Sequence, residues 1–206
     1  MTESPSPGER GADPRPLLGE PLALDLLNTH WIEGGELQDL LATPAGLSIW
    51  LRSAQVTAEP PITGEPPITS EPPITGEPLR QALRRTRDIV QAVAERPDSP
   101  SARADLNDLL ARGRRERRLA GNGPVARVVV PDRVWTLPWL VAENYLDLLE
   151  RAPDRIRRCE HPQCVLWYFD TSRAGTRRWC SMSICGNRSK ATRHYRRRTE
   201  TGADLR

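Results

Sequence analysis

Apolar residues recur at helical spacing over much of the chain, and proline and glycine separate the runs. Leu22, Leu26 and Leu27 cluster on one side of a helical wheel, with Asp25 and Asn28 on the other. That pattern predicts a helix over about 20–29. Thr43-Pro44 reads as an N-cap and a first-turn proline, and Leu47, Trp50, Leu51 and Ala54 follow at helical spacing. Leu79, Leu83, Ile89, Val90 and Val93 make one stripe over 78–96, with Arg80, Arg84, Arg85 and Arg87 off it. Ser99-Pro100 opens a further helix to about 112, with Leu106, Leu109 and Leu110 inward. Trp139, Ala142, Leu146 and Leu149 share a face over 138–151, and Pro153 ends that run.

Strand signals are shorter. Residues 125–130 are β-branched and predict a strand, with 134–137 as its hairpin partner. Residues 112–118 read as a basic, turn-like stretch leading to Gly121-Asn122-Gly123. Near the C-terminus, 165–170 predicts a strand, Arg173-Ala174-Gly175 a turn, and 176–179 the return strand. After Cys185-Gly186-Asn187 the pattern is helical to about Arg198.

Two stretches have no such pattern. Residues 1–16 are polar and proline-rich and predict a disordered leader. Residues 59–76 repeat Glu-Pro-Pro-Ile-Thr-Gly/Ser three times, which excludes helix and central strand. An extended, mobile linker is expected there, with a docking site for a proline-reading partner as the sharper alternative. The segment 56–78 is placed as an insertion within an N-terminal domain, 17–152; a hinge between two helical subdomains is the alternative. Eleven of the 20 prolines lie within residues 1–16 and 60–78, so the rest of the chain has ordinary composition. No run approaches the ~20 apolar residues of a membrane helix, and the N-terminus lacks the apolar core of a secretory signal. A cytoplasmic location is expected, nucleoid-associated when bound to DNA, where disulfides are rare.

All four cysteines, Cys159, Cys164, Cys180 and Cys185, fall within one short segment as Cys-x4-Cys, fifteen residues, Cys-x4-Cys. Two close pairs at that separation are the spacing of a four-thiolate zinc site. Disulfides and an iron–sulfur cluster are weaker rivals, the second because the spacing matches no ferredoxin pattern. His161 and His194 are near enough to be substitute ligands, though a solvent-exposed role in a basic region suits both better. Knuckle, hairpin and a helix carrying the last ligand make a treble-clef-like layout over 153–200, followed by a tail, 201–206. The expected fold is therefore α+β and mainly helical. An N-terminal helical domain with a short β-hairpin precedes a small treble-clef-like, four-cysteine zinc finger holding one structural Zn²⁺.

The formal charge of +3 conceals a division. Residues 151–206 carry fourteen basic and five acidic side chains, net +9, which leaves the remainder at −6. A compact basic module on an acidic body is the footprint of polyanion binding. On the predicted last helix Lys190, Arg193 and Arg197 share one face, with Arg196 beside it. Ala191 and Tyr195 lie opposite, suited to pack on Trp167 or Phe169. Arg188 falls with the packed side, where a pairing with Asp170 is expected. Lys190, Arg193, Arg196, Arg197 and Arg173 are the candidate nucleic-acid contacts. Base readout is assigned to Asn187, Arg193, Arg196 or the turn at Ser172-Arg173.

Cys-x4-Cys, Phe169-Asp170-Thr171-Ser172-Arg173, Arg178-Trp179-Cys180-Ser181-Met182 and Cys185-Gly186-Asn187-Arg188 together resemble the CGNR zinc finger. Leu24-Asp25-Leu26-Leu27-Asn28-Thr29 resembles the opening of the ABATE domain that precedes it. The resemblance implies a bacterial stress-induced transcription regulator with a DNA-binding finger and an N-terminal sensing module. The Pro-Pro-Ile-Thr repeats depart from the family pattern. Asp25, Asn28 and Thr29 are candidates for a small-ligand site in the N-terminal domain; helix termination and capping is the alternative.

The leading expectation is a zinc-dependent DNA-binding regulator. DNA is the expected partner, a homodimer and a small-molecule or protein signal are further candidates, and no membrane is implied. A structural or protein-interaction zinc module is the rival. RNA binding is a variant in which Trp167, Tyr168 and Trp179 stack on unpaired bases. No phosphate loop, Gly-x-Ser-x-Gly or His-Glu-x-x-His occurs, so an enzyme is not expected.

Overall fold

A computed structural model describes residues 13–54, 76–121 and 123–190. Its helices are α1 (Leu22–Leu27), α2 (Pro44–Ser53), α3 (Glu77–Glu95), α4 (Pro100–Leu110) and α5 (Thr136–Arg151). The strands form three separate antiparallel pairs. β1 (His30–Glu33) pairs β2 (Glu36–Asp39), and β3 (Arg114–Ala120) pairs β4 (Gly123–Val129). β5 (Ile156–Arg158) pairs β6 (Trp167–Phe169), and a π-helical turn, Met182–Gly186, follows.

The long helices form where the apolar stripes and caps put them. Thr43 Oγ1 accepts from Gly46 N–H at the start of α2, and Ser99 Oγ accepts from Ala102 N–H at the start of α4. Leu79, Leu83, Val90 and Val93 of α3 are buried, and α3 packs against α1, α4 and α5. Leu47 and Trp50, before the repeats, share one buried cluster with Leu83 and Val90, after them. Gly46 is dictated by packing: a Cβ there would meet the Leu40 carbonyl oxygen at 1.6 Å. Of the insertion placed at 56–78, residues 56–75 lie outside the described residues; Gly76 is the N-cap of α3, and Glu77 and Pro78 belong to its first turn.

Helix α1 is six residues long and short of the predicted span. Ala23, Leu24, Leu26 and Leu27 are all buried, because α1 is surrounded by α3, α5 and β6. Part of the expected leader is ordered. Arg15 is buried, and its guanidinium donates to Asp13, to Ser53 of α2 and to the Asp25 carboxylate at 2.8 Å.

Three strand expectations are corrected. The partner of β4 is β3, drawn from the stretch read as turn-like; residues 134–137 instead enter α5 through a 3-10 turn. The partner of β6 is β5, ahead of the first cysteine, and 176–179 forms no strand. The β1–β2 hairpin was not anticipated, although Gly34 and Gly35 supply the positive φ (60° and 89°) that such a turn demands.

Candidate zinc centre and its joint to the helical domain

The β5–β6 pair holds the first two cysteines. Register ends at Arg158 opposite Trp167, and Cys159 N–H donates to Leu166 C=O at 2.9 Å. Cys164 N–H donates to His161 C=O, closing the knuckle. Cys180 and Cys185 arrive from the other side, the second within the π-helical turn. All four sulfurs are buried and lie within 4.8 Å of one another. Cys164–Cys180 is 3.8 Å and Cys180–Cys185 is 3.6 Å. A Zn–S bond of about 2.3 Å sets a tetrahedral S–S edge of about 3.8 Å, so the spacing fits one zinc ion. It is too long for a disulfide, whose S–S bond is about 2.05 Å.

Electrostatics agree with the geometry. Hydrogen bonds from Cys164 and Cys180 pull the Cys159 thiol down to about 2, and Cys180 N–H donates to its sulfur at 3.4 Å. The hydrogen bond with Cys159, the one with Cys164, and then burial push the Cys180 thiol far above its ordinary value. Four thiols this close cannot all ionise without a cation between them. A divalent ion held by four thiolates has no open coordination position, so its role is structural.

The loop after β6 delivers the second pair. Asp170 is fully buried, and its carboxylate accepts the N–H groups of Ser172 (2.9 Å) and Arg177 (3.0 Å). Arg177 stacks over Tyr168 at 4.3 Å and donates to the carbonyls of Trp179 and Cys180, setting the approach to the third ligand. Asp170 thus anchors this loop, with Arg155 donating to its carbonyl at 2.8 Å. Arg188, expected against Asp170 on the packed side, is exposed. His161, expected in solvent, is buried, and its Nδ1 accepts from Gln163 N–H.

The finger does not stand apart from the helices. Strand β6 has one edge on β5, and its other edge is met by side chains of the N-terminal domain. Asn28 Nδ2 donates to Trp167 C=O at 2.9 Å, and Trp167 N–H donates to Asn28 Oδ1 at 2.8 Å. Glu20 accepts from Phe169 N–H at 2.9 Å, and the Arg151 guanidinium covers the Phe169 ring at 4.7 Å. A single amide side chain here replaces a strand neighbour, satisfying both backbone groups of one residue.

The three residues considered as a ligand site are buried and bonded to the protein. Asp25 accepts from Arg15 and from Trp50 Nε1 (3.2 Å). Thr29 Oγ1 donates to Leu26 C=O and accepts from Arg87 Nη1 at 2.8 Å. Arg87 in turn grips the Asp39 carboxylate at 2.6 and 2.9 Å. Polar residues inside (Asp25) and directly after (Asn28, Thr29) an otherwise apolar six-residue helix were the available signal for this role. Glu20 and Arg15 carried no comparable signal.

Of the candidate nucleic-acid contacts, Arg173 and Lys190 are exposed, as is Asn187. Arg193, Arg196 and Arg197 lie outside the described residues, as do His194, Ala191 and Tyr195. Trp167 and Tyr168 are buried, so their rings are closed to bases. No described helix is long and apolar enough to cross a membrane.

A helical domain carrying a closed four-cysteine centre defines a zinc-finger protein. Residues 155–198 match the CGNR zinc finger, and residues 20–152 match ABATE, described as "Putative stress-induced transcription regulator". The second match spans more than half of the chain, and the protein belongs to that family. A search of curated proteins finds no match.

Proposed function

We propose that the protein is a zinc-dependent DNA-binding transcription regulator, acting in the cytoplasm and on the nucleoid, without catalysis. The observation that carries this reading is the charge division: net +9 on residues 151–206 against −6 on the remainder. Zinc folds a segment too small to bury a core unaided. Arg173 and Lys190 are exposed beside the centre, and Arg193, Arg196 and Arg197 continue the same basic sequence. These five side chains meet phosphate, and Asn187 is the neighbouring candidate for base contact. The N-terminal domain takes a protein or small-molecule signal, and a homodimer supplies the second finger that longer sites require. Burial of Trp167 and Tyr168 favours a duplex over unpaired RNA.

Binding to duplex DNA is measured against salt with zinc-loaded protein. Three to six phosphate contacts give log K against log salt a slope of roughly −3 to −5. A flat response, or equal binding by a Cys180→Ser/Cys185→Ser variant, refutes the reading.

A further inference from the structure

We propose that the β3–β4 hairpin is a second contact for duplex DNA, a ribbon that meets phosphates independently of the zinc centre. This rests on the reading of the protein as a DNA-binding regulator.

The acidic body is not uniformly acidic. Residues 112–133 hold seven arginines against Glu116 and Asp132, net +5, so the rest of residues 1–150 stands at −11. The arginines are concentrated on one two-stranded ribbon. The register places Arg114, Glu116 and Arg118 on one face with Val129, Arg127 and Val125. Arg115 and Arg117 lie on the other face with Val128 and Ala126. Arg115 reaches Glu143 of α5 at 3.4 Å, which sets the base of that second face beside the helices, while Arg117 and Leu119 further out on it are exposed. On the outward face the Arg114 and Arg118 side chains are 63% and 67% exposed, and Arg127 is exposed.

The ribbon is seated firmly at its base. Trp139 Nε1 donates to Leu110 C=O at 2.9 Å, and a Cβ on Gly113 would lie 2.7–2.8 Å from Val130 and the Trp139 ring. From that base seven residues per strand extend about 20 Å. A two-stranded ribbon is of a width that the DNA major groove, about 12 Å across, admits. Glu116 lies among the outward cations, 2.7 Å from Arg114 and 3.9 Å from Arg118. It holds their guanidinium groups in place of phosphate. Pairing with a second copy through β3 would set the Arg117 and Arg118 rows side by side, and like charges opposite one another repel.

The test uses the full-length zinc-loaded protein and a fluorescein-labelled, mixed-sequence duplex titrated across salt. Arg118→Glu/Arg127→Glu is expected to weaken binding and make the salt slope shallower by about 2, at about 0.9 per lost contact. Its zinc content is expected to stay unchanged and its melting temperature to fall slightly, because Arg127 stands opposite Glu116 in the register. Glu116→Gln is expected to tighten binding by removing the internal competitor. Failure of both changes, while Arg173→Glu/Lys190→Glu still weakens binding, overturns the ribbon and leaves the finger reading standing. No binding by the wild type overturns both. A dimer that dissociates in Arg118→Glu/Arg127→Glu by light scattering, with DNA affinity per protomer intact, assigns the ribbon to a second copy and overturns the proposal. If the double variant does not fold, Glu116→Gln decides alone, and no gain in affinity overturns it.

Discussion

Asn28 shows how much one side chain can carry. It is wholly buried, and its amide is the partner of both backbone groups of Trp167. Asn28→Ala leaves a donor and an acceptor buried without partners, at about 1–3 kcal/mol each. Denaturant titration is expected to show a loss of about 3 kcal/mol or more; a loss under about 0.5 kcal/mol would mean that water replaces the amide. Asp39 is the second such residue. Burial opposes its ionisation, but the hydrogen bonds from His30 and Arg87 outweigh that and hold its carboxyl well below the usual range. The folded chain therefore takes up this proton later than the unfolded chain does. The stabilisation is complete above the unfolded value of about 3.9 and is lost as pH falls below it. Asp39→Asn is expected to lower stability at neutral pH and to flatten the difference from wild type as pH drops below about 4. A constant gap from neutral to acid pH would contradict this.

Among the elements, helices were the legible part of the sequence. The stripe Leu79, Leu83, Val90, Val93 and the caps at Thr43 and Ser99 are local signals, and nothing distant overrides them. Strands were less legible for identifiable reasons. β3 reads Arg-Arg-Glu-Arg-Arg-Leu-Ala, charged on both faces, so it shows no alternation of apolar and polar positions. The expected return strand at 176–179 fails because Arg177 N–H is bonded to Asp170 and its guanidinium to Trp179 and Cys180. The zinc ligands were legible because four cysteines in a short segment are a spacing signal that needs no fold. Asn28 and Thr29 were singled out for their chemistry, but their partners, Trp167 and Arg87, lie 139 and 58 residues away. At this scale one zinc ion per chain is expected by elemental analysis. Cys180→Ser is expected to lose it, and the Trp179 near-ultraviolet dichroism with it; retained metal at wild-type affinity would show that three thiolates suffice.

For the whole molecule, the finger and the helices melt as one unit or as two, and the contacts favour one. Trp167, Phe169 and the cysteines belong to the same buried cluster as Leu24, Leu83 and Tyr145. Zinc bound only by the folded state stabilises everything coupled to it. Chelation is therefore expected to lower the melting temperature of the helical domain, followed through far-ultraviolet dichroism, and not only that of the finger. A helical transition that ignores chelator would show the two to be independent.

The joint at β6 has a consequence for heredity. On the finger side its bonding groups are main-chain N–H and C=O; no codon change removes the C=O, and only proline removes the N–H. On the other side they are the side chains of Asn28 and Glu20, each one substitution from loss. Selection on the union of the two parts therefore acts mainly on the residues that flank α1, and a finger transplanted onto another protein would leave its lock behind.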